Sequence, residues 1–386
     1  MKILFVFWDM ARINLLNEYD CKNEVTSIDK FLNRIGGTLY TNCYTPAPDT
    51  PRSLACMQTG LYPHSNGCDT RIKWPKFFLK KEKTTIFDKF NNASFKQLFY
   101  IPEQNYNTGP FSERAYQYGN FFHDRDKFTK AVNKHIDEDG NLFAHIHLQD
   151  YHWAIDDYGA NKKGARIGKE RVVDFTESFF NDVEIDSFDY VFIFSDHGHK
   201  YIKEMKTQDK LEVLNGDRTN ILMHVRRKEE CRLSKNKKLC SIFDLFPTIQ
   251  EILKCKDVNN DGISLFSQKE HSEIIIEDHS KFNVASYQEL TVWAIRKINS
   301  LYITDIFNDL YFEKNSMIEI SESAKINYLN LISHKSPVIN DYRKKLEIMD
   351  YYKKLSMPGD KFSNGSKRQK RNFYFKLTKF INNTLY

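Results

Sequence analysis

The sequence predicts an α/β fold in which a mostly parallel central sheet carries helices on both faces. Three strongly apolar runs support this prediction, at residues 2–8, 142–148 and 188–194, and each is followed at once by polar side chains. A helical pattern at residues 163–182 separates the last two runs, and alternating strands and helices are typical of parallel sheets. Because ligands bind beyond the carboxyl ends of such strands, the residues that follow the runs form the candidate site.

Further helices are predicted between and after these strands. Residues 27–35 read as a helix that Gly36-Gly37 ends. Residues 53–61 read as a helix that opens just after Thr50-Pro51, since proline suits a first helical turn. Residues 241–254 predict another helix near the end of the catalytic part of the chain.

The C-terminal third has a different pattern. Short strand-like runs within residues 273–305 predict a small antiparallel unit, and after about residue 330 the sequence becomes helical and basic. We therefore expect a catalytic domain at residues 1–270, a small C-terminal α+β subdomain at 271–330 and a basic helical tail at 331–386. The length of 386 residues is sufficient for this division.

Cysteine usage and the amino terminus bear on location. The chain has seven cysteines, an odd number without a CxxC pair, so we expect a reducing compartment and no disulfide framework. The apolar run before Asp9 is too short for a secretion signal, and no run of about 18 apolar residues is present. We expect a cytoplasmic protein, either free or peripheral at the inner membrane face.

The tail is the reason for the peripheral option. From Leu331 onward, 13 Lys/Arg stand against 4 Asp/Glu, although the net charge of the whole chain is only +6. Residues 366–386 interleave basic residues with Phe and Tyr, which suits docking to an anionic membrane surface. Packing on its own domain or on a second subunit is the competing interpretation. Nucleic-acid binding, which aromatics between basic residues also suit, is the least favoured.

A set of residues at the predicted strand ends suits metal-assisted attack on a phosphate ester. Such a reaction needs oxygen ligands and often an imidazole for the ion, a hydroxyl nucleophile, and a cation beside the transferred group. Asp9, Asp196 and His197 supply metal ligands. Thr50 is the predicted nucleophile and a further ligand, and Arg52 is the nearby cation. Each residue alone has a plainer explanation as a turn or cap residue, so their order along the chain carries the prediction.

Longer blocks resemble the sulfatase branch of the alkaline phosphatase superfamily, from residue 1 to about 320. FVFWDMARIN resembles the family's strand that ends in a metal-binding Asp, and FIFSDHGH resembles its S-D-H-G metal block. In TNCYTPAPDTPRSLACMQTGLYPHSNG, which resembles the nucleophile segment, counting back from Thr59-Gly60 places the nucleophile at Thr50. SIFDLFPTIQEIL with DGISL, and WAIRKINSLYITDIFNDLYFEKN, resemble the segments that follow. The resemblance implies a metal-dependent hydrolase.

The nucleophile segment departs from the sulfatase pattern in one respect. Sulfatases use a formylglycine made from Cys or Ser in C/S-x-P-x-R, whereas the position here is Thr50, and the arginine is shifted by two places to Arg52. Neither Cys43 nor Cys56 lies in the required pattern. Relatives with an unmodified Thr act on phosphoryl groups, so we expect a phosphodiesterase or phosphatase acting on surface-glycan or lipid-linked substrates. A phosphoglycerol- or phosphoethanolamine-type transferase and a sulfuric ester hydrolase are the alternatives.

The resemblance implies further site residues. Asp150-Tyr-His152 is similar to the family's D-x-H block, in which the histidine contacts the substrate, although pairing with a nearby acid would also explain His152. Lys210 lies near the position of a substrate-binding lysine, with Lys206 as a competing choice and a solvated surface lysine as the plain reading. His199 is a candidate acid for the leaving group.

One divalent ion is the expected cofactor. A second ion would need Asp150 and two more histidines, and His271 and His279 are available without a diagnostic spacing. Asn14 could add a metal contact, but helix capping is the plainer reading. Oxygen-rich ligands with one histidine suit Mn²⁺, which we prefer, and also Mg²⁺ or Ca²⁺, while Zn²⁺ stays open.

Overall fold

A computed structural model describes most of the chain, namely residues 1–12, 26–68, 79–102, 113–199, 214, 216–255, 258–283, 288–305, 309–314, 316–336 and 339–340. The strands are β1 Lys2–Trp8, β2 Gly37–Tyr44, β3 Phe95–Tyr100, β4 Gly119–Phe122, β5 Asn141–Leu148, β6 Tyr190–Phe194, β7 Met223–Arg227, β8 Leu233–Ser241, β9 Ile274–Asn283, β10 Gln288–Arg296, β11 Ser300–Thr304, β12 Asp309–Glu313 and β13 Ser316–Met317. The helices are α1 Ser27–Ile35, α2 Thr50–Thr59, α3 Pro63–Asn66, α4 Ile86–Asn92, α5 Glu113–Tyr118, α6 Arg125–Asp137, α7 Asp150–Tyr158, α8 Lys162–Asp182, α9 Gly216–Thr219, α10 Leu245–Ile252 and α11 Glu322–Lys335.

The larger sheet has eight strands in the order β4-β3-β5-β1-β6-β7-β2-β8. β1 lies between β5 and β6 and runs parallel to both. Only β7, among the described strands of this sheet, runs antiparallel to its neighbours β6 and β2. The predicted mostly parallel sheet is therefore confirmed, and its three strongest apolar runs are its three central strands.

Burial of β1 on both faces explains why its sequence is apolar without alternation. Ile3, Phe5 and Phe7 pack into one hydrophobic core with α2, α4 and α10. Leu4, Val6 and Trp8 pack into a second core with α1, α6, α7 and α8. A strand covered on both sides by helices must be apolar at every position. The predicted placement of helices on both faces is confirmed.

The helix that carries Thr50 begins earlier than its sequence pattern predicts. It spans Thr50–Thr59, because Asp49 accepts a hydrogen bond from the Arg52 amide and serves as the N-cap. Gly60, with φ of 70°, ends the helix in the left-handed conformation that glycine adopts without strain. The predicted helix at 241–254 is shorter than expected, and consists of a 3₁₀ turn at Ile242–Asp244 followed by α10.

A smaller antiparallel sheet follows, in the order β13-β12-β11-β10-β9. It meets the larger part of the molecule where the Glu277 amide of β9 donates to the Pro46 carbonyl at 2.9 Å. α11 crosses the expected border at residue 330 and packs on this sheet, with the Tyr328 ring stacked on Tyr302 at 4.7 Å. The two predicted domain borders stay predictions. No helix among the described residues has the length and apolarity needed to cross a membrane.

Candidate metal centre and active site

The ends of two neighbouring parallel strands bring three metal-binding side chains together. Asp9 follows β1 directly, and Asp196 and His197 follow the adjacent strand β6. One ligand atom from each residue lies within 4.8 Å of the others, and among the described residues this is the group that could hold a metal ion. Strand adjacency thus places together residues that are nearly 190 positions apart in the sequence.

Asp196 is held in place by backbone amides. Its Oδ1 accepts from the Met10 amide at 3.0 Å and from the His197 amide at 2.8 Å. Met10 has φ of 66°, an uncommon conformation for a residue other than glycine, and such strain concentrates at functional sites. Oδ2 of Asp196 is buried and lies 3.4 Å from His197 Nε2, but it makes no hydrogen bond with the described residues. Burial raises the pKa of Asp196, although His197 opposes the shift.

The second carboxylate oxygen of Asp9 faces two histidines. Its Oδ2 lies 3.9 Å from His147 Nε2 and 3.7 Å from His152 Nδ1. Burial alone would raise the pKa of Asp9, but the two imidazoles outweigh it and lower the pKa well below the ordinary range. In return, the Asp9 carboxylate raises the pKa of His152 to about 9.

His147 was not predicted from the sequence as part of the site. It lies on β5, fully buried, with its ring 4.6 Å from that of Phe7. A usable signal existed, since it lies three residues before the candidate Asp150 in the run LFAHIHL, where histidine interrupts apolar residues. Asp150 itself is the first residue of α7 and is not a member of the metal-binding group.

Thr50 is the first residue of α2, and its hydroxyl is not the helix cap because Asp49 has that role. The hydroxyl oxygen lies 3.4 Å from Asp9 Oδ1 and 3.3 Å from His197 Nε2. Ser53, one turn further, donates from its hydroxyl to the Asp196 carbonyl at 2.8 Å and so ties α2 to the metal-binding loop. The half-buried Thr50 side chain therefore points at the three metal-binding groups.

Arg52 lies in a different environment from Thr50. Its side chain is completely buried and contacts the Asp49 carboxylate at 2.5–2.6 Å, with Asp278 at 3.5 Å and Glu277 at 3.8 Å. Burial disfavours its charge, but Asp49, Asp278 and Glu277 outweigh burial and raise its pKa. The predicted role of Arg52 beside the transferred group stays a prediction. In the structure, the partners of its guanidinium group are carboxylates.

The other predicted site residues are spread more widely. His199 is buried, 5.6 Å from the Tyr151 ring, and burial, with Arg12 and His197, lowers its pKa to about 3. His271 Nε2 lies 2.8 Å from Asp244, away from the metal-binding group. The remaining predictions fall outside the described residues or side chains, at Asn14, Lys206, Lys210 and His279.

Comparisons with known proteins agree with this fold and site. A model of the Sulfatase family matches residues 2–254, more than half of the chain. No curated protein sequence matches. A 2-O GAG sulfatase shares 14% identity over 93% of this chain and 95% of its own, with a TM-score of 0.58.

Two further solved structures extend the comparison beyond sulfatases. An alkaline phosphatase superfamily protein from Vibrio parahaemolyticus shares 12% identity over 84% of this chain and 83% of its own, with a TM-score of 0.58. A phosphonate monoester hydrolase of Agrobacterium radiobacter shares 11% identity over 89% and 95%, with a TM-score of 0.56. Fold and family match together define a hydrolase of the alkaline phosphatase superfamily. Within that superfamily, the chain belongs to the Sulfatase family.

Enzymes of this family use a divalent metal, and the site fits one. Two buried carboxylates and an imidazole converge, and Asp196 Oδ2 has no hydrogen-bond donor among the described residues. A divalent cation would neutralise the carboxylates and coordinate that oxygen. Asp9, Asp196 and His197 are the residues that would hold it, with Thr50 adjacent.

Proposed function

We propose that this chain is a divalent-metal-dependent phosphoester hydrolase in which Thr50 is the nucleophile. The observation that carries the proposal is the position of the Thr50 hydroxyl, 3.4 Å from Asp9 and 3.3 Å from His197. A bound divalent ion supplies a positive charge that lowers the pKa of a nearby hydroxyl and favours developing negative charge. Mn²⁺ is the preferred ion for this ligand set, with Mg²⁺, Ca²⁺ and Zn²⁺ as the competing choices.

The reaction takes place in two steps. Thr50 Oγ1 gives its proton to solvent and forms a bond to phosphorus, the bond to the ester oxygen breaks, and the departing oxygen takes a proton from His152. Water then attacks the phosphothreonine, giving a proton back to His152, and the bond between phosphorus and Thr50 breaks, so that Thr50 regains its hydroxyl proton from solvent. His152 suits this task because its side chain is 37% exposed and faces Asp9.

The phosphoryl preference rests on the identity of the nucleophile. Threonine is not converted to formylglycine, and Cys43 and Cys56 are buried in β2 and α2 rather than placed at the start of the helix. Sulfuric ester hydrolysis is the second candidate, because the family match and the 2-O GAG sulfatase favour it. Transfer to a sugar or lipid hydroxyl in place of water would use the same residues. The name of the 2-O GAG sulfatase also supports a glycan ester as the substrate.

A panel of substrates tests this function. With Mn²⁺ present, we expect turnover of an aryl phosphate monoester, an aryl phosphodiester or a phosphonate monoester, and less of an aryl sulfate. Thr50→Ala should lower kcat by about 10³-fold or more while the protein stays folded. Thr129→Ala is the matched control, since Thr129 is a buried threonine that lies on a different helix, α6.

The possible outcomes separate the candidates. Full activity in Thr50→Ala would refute the nucleophile, and cleavage of the aryl sulfate alone would refute the phosphoryl preference. A transferase would form a new ester when glycerol is added, whereas a hydrolase would release the same product as before.

The membrane contact and the cytoplasmic location also belong to the proposal. Residues 366–386 lie outside the described residues and hold six Lys/Arg without an acidic residue. Each could add about 1 kcal/mol of attraction to an anionic surface. We expect the full chain to co-sediment with anionic phospholipid vesicles and not with neutral ones, and deletion of residues 366–386 to abolish this. Unchanged co-sedimentation after the deletion would contradict membrane docking through the tail.

A further inference from the structure

Five charged residues surround the first turn of α2, and we name them the charge clamp. They are Asp49, Arg52, Arg218, Glu277 and Asp278. Their side chains are buried except for that of Arg218, which is 19% exposed. Three carboxylates thus meet two guanidinium groups in a space from which water is largely excluded, where charge interactions are strong and directional.

Arg52 connects the cap of α2 to the small sheet. Its Nε donates to Asp49 Oδ2 at 2.6 Å, and Asp49 in turn caps the helix by accepting from the Arg52 amide. The other end of the guanidinium faces Glu277 and Asp278 on β9. No part of the Arg52 side chain is exposed, and Thr50 lies two residues before it, so Arg52 can act on the reaction through the position of Thr50.

Arg218 connects three parts of the site. Its Nη1 donates to Asp278 Oδ2 at 2.8 Å, and its Nη2 donates to the Pro48 carbonyl at 3.1 Å, just before α2. The backbone carbonyl of Arg218 accepts a hydrogen bond of 2.9 Å from the amide of Gly198, and Gly198 is the residue after His197. One arginine therefore contacts the segment before Thr50, the loop that carries Asp196 and His197, and the small sheet.

The small sheet gives the clamp a fixed base. The Glu277 side chain accepts from the Ser336 hydroxyl, and Ser336 accepts from Trp293 Nε1 on β10 at 3.2 Å. The Glu277 amide also donates to the Pro46 carbonyl. β9 is thus tied to the segment that leads into α2 by backbone as well as by side chains.

We infer that Arg218 and Asp278 are positioning residues, which hold the Thr50 hydroxyl against Asp9 and His197 through the charge clamp. The small sheet is then part of the catalytic machinery, since it supplies two of the three carboxylates. This inference rests on the proposed role of Thr50. Small displacements of a nucleophile lower the rate far more than they lower substrate binding.

Two measurements on the full chain test the clamp. The first is hydrogen–deuterium exchange of α2, compared with a peptide covering β3. The second is kcat and KM with the best ester of the panel. For Arg218→Ala and Asp278→Asn, we expect α2 to exchange about tenfold faster, and β3 to be unchanged. We expect kcat to fall about 10- to 100-fold and KM to change by less than about threefold.

Two further variants make the test selective. Arg218→Lys keeps the charge but loses one of the two contacts of the guanidinium group, so its α2 exchange rate and its kcat should lie between those of wild type and Arg218→Ala. If Arg218→Ala does not fold, Arg218→Lys takes its place in the test. Arg226→Ala is the matched control, because Arg226 is also buried and paired with a carboxylate, Asp186, but lies at the opposite edge of the sheet. It should leave α2 exchange and kcat unchanged.

The outcomes for the clamp and for the proposed function are distinct. If wild type cleaves none of the esters, the proposed function fails, and the exchange of α2 still reports on the clamp. If α2 exchange and kcat in Arg218→Lys and Asp278→Asn equal those of wild type, the clamp is refuted. Equal acceleration of α2 and β3 would also refute it, because the residues would then support only general stability.

Discussion

The eight-stranded sheet has two edges that run across its strands: the site edge at the carboxyl ends of the parallel strands, and the opposite edge at their amino ends. These two edges bury charged and polar groups in contrasting ways. At the edge where the parallel strands end, Asp9 and Asp196 converge, and Asp196 Oδ2 has no donor among the described residues. At the opposite edge, Arg226 is matched with the Ile35 carbonyl and with Asp186, and His224 Nε2 donates to the Gly36 carbonyl at 2.7 Å. The site edge brings two carboxylates together among histidines, and the other edge pairs a guanidinium group with one carboxylate.

This contrast indicates which edge has been shaped by function. Two carboxylates that converge in a buried space cost folding free energy, and natural sequences keep such arrangements mainly at sites that bind or react. Ion pairing at the other edge follows the ordinary rule for buried charge. The polar groups of the site edge are therefore best explained by a divalent cation, which would complete their pairing.

Replacement of one carboxylate at each edge should change the stability of the protein in opposite directions. In EDTA, Asp196→Asn should raise the free energy of unfolding by about 1 kcal/mol, because it removes one of two converging charges while keeping an oxygen for the Met10 and His197 amides. It should also weaken Mn²⁺ binding by at least about 100-fold. Asp186→Asn should lower the free energy of unfolding by about 1 kcal/mol, since Asp186 is half exposed.

Urea unfolding in EDTA and calorimetric titration with Mn²⁺ measure these changes. Asp186→Asn is the internal control for Mn²⁺ affinity, which it should leave unchanged. A loss of stability in metal-free Asp196→Asn would contradict the comparison, because the carboxylate would then already be well paired without a cation.

The convergence of Asp9, Asp196 and His197 at the site edge could be predicted from the sequence because the signals for it are local. Asp9 and the Asp196-His197 pair each follow a run too apolar for anything but a central strand, and adjacency of those strands in a parallel sheet brings the residues together. The fold class followed from the same runs. The antiparallel direction of β7 was not predicted, because a five-residue strand carries no sign of its direction.

The surroundings of Arg52 could not be predicted from the sequence, for a physical reason. Two of its carboxylate partners, Glu277 and Asp278, come from the small sheet, far along the chain, so no local spacing reveals them. From the sequence alone, Arg52 can be interpreted only as a cation near the predicted nucleophile, because its carboxylate partners become visible only in the tertiary structure. The early start of α2 has a local cause, because Asp49 caps the helix and Thr50 is its first residue. The prediction instead placed the start after Pro51, since proline is common in a first helical turn.

The opposite edge should respond to acid through His224, and this loss of stability develops gradually as the pH falls. Burial lowers the pKa of His224 to about 4, with Arg226 adding to the shift and the hydrogen bond to Gly36 opposing it. The unfolded chain, in which histidine has a pKa near 6.5, binds more protons. Stability from neutral His224 is therefore complete above about pH 6.5 and falls toward pH 4, by at most about 3 kcal/mol.

His224→Gln isolates this contribution, because glutamine can still donate to the Gly36 carbonyl but does not titrate. His145 is also buried with a lowered pKa, so wild type will lose stability in the same range from more than one histidine. The informative quantity is thus the difference in the free energy of unfolding between wild type and His224→Gln at pH 7 and at pH 4.5, measured in EDTA. The loss on acidification should be smaller in the variant. Equal losses of the free energy of unfolding in wild type and His224→Gln would contradict the prediction. They would show that buried His224 accepts a proton in the folded protein as readily as in the unfolded chain.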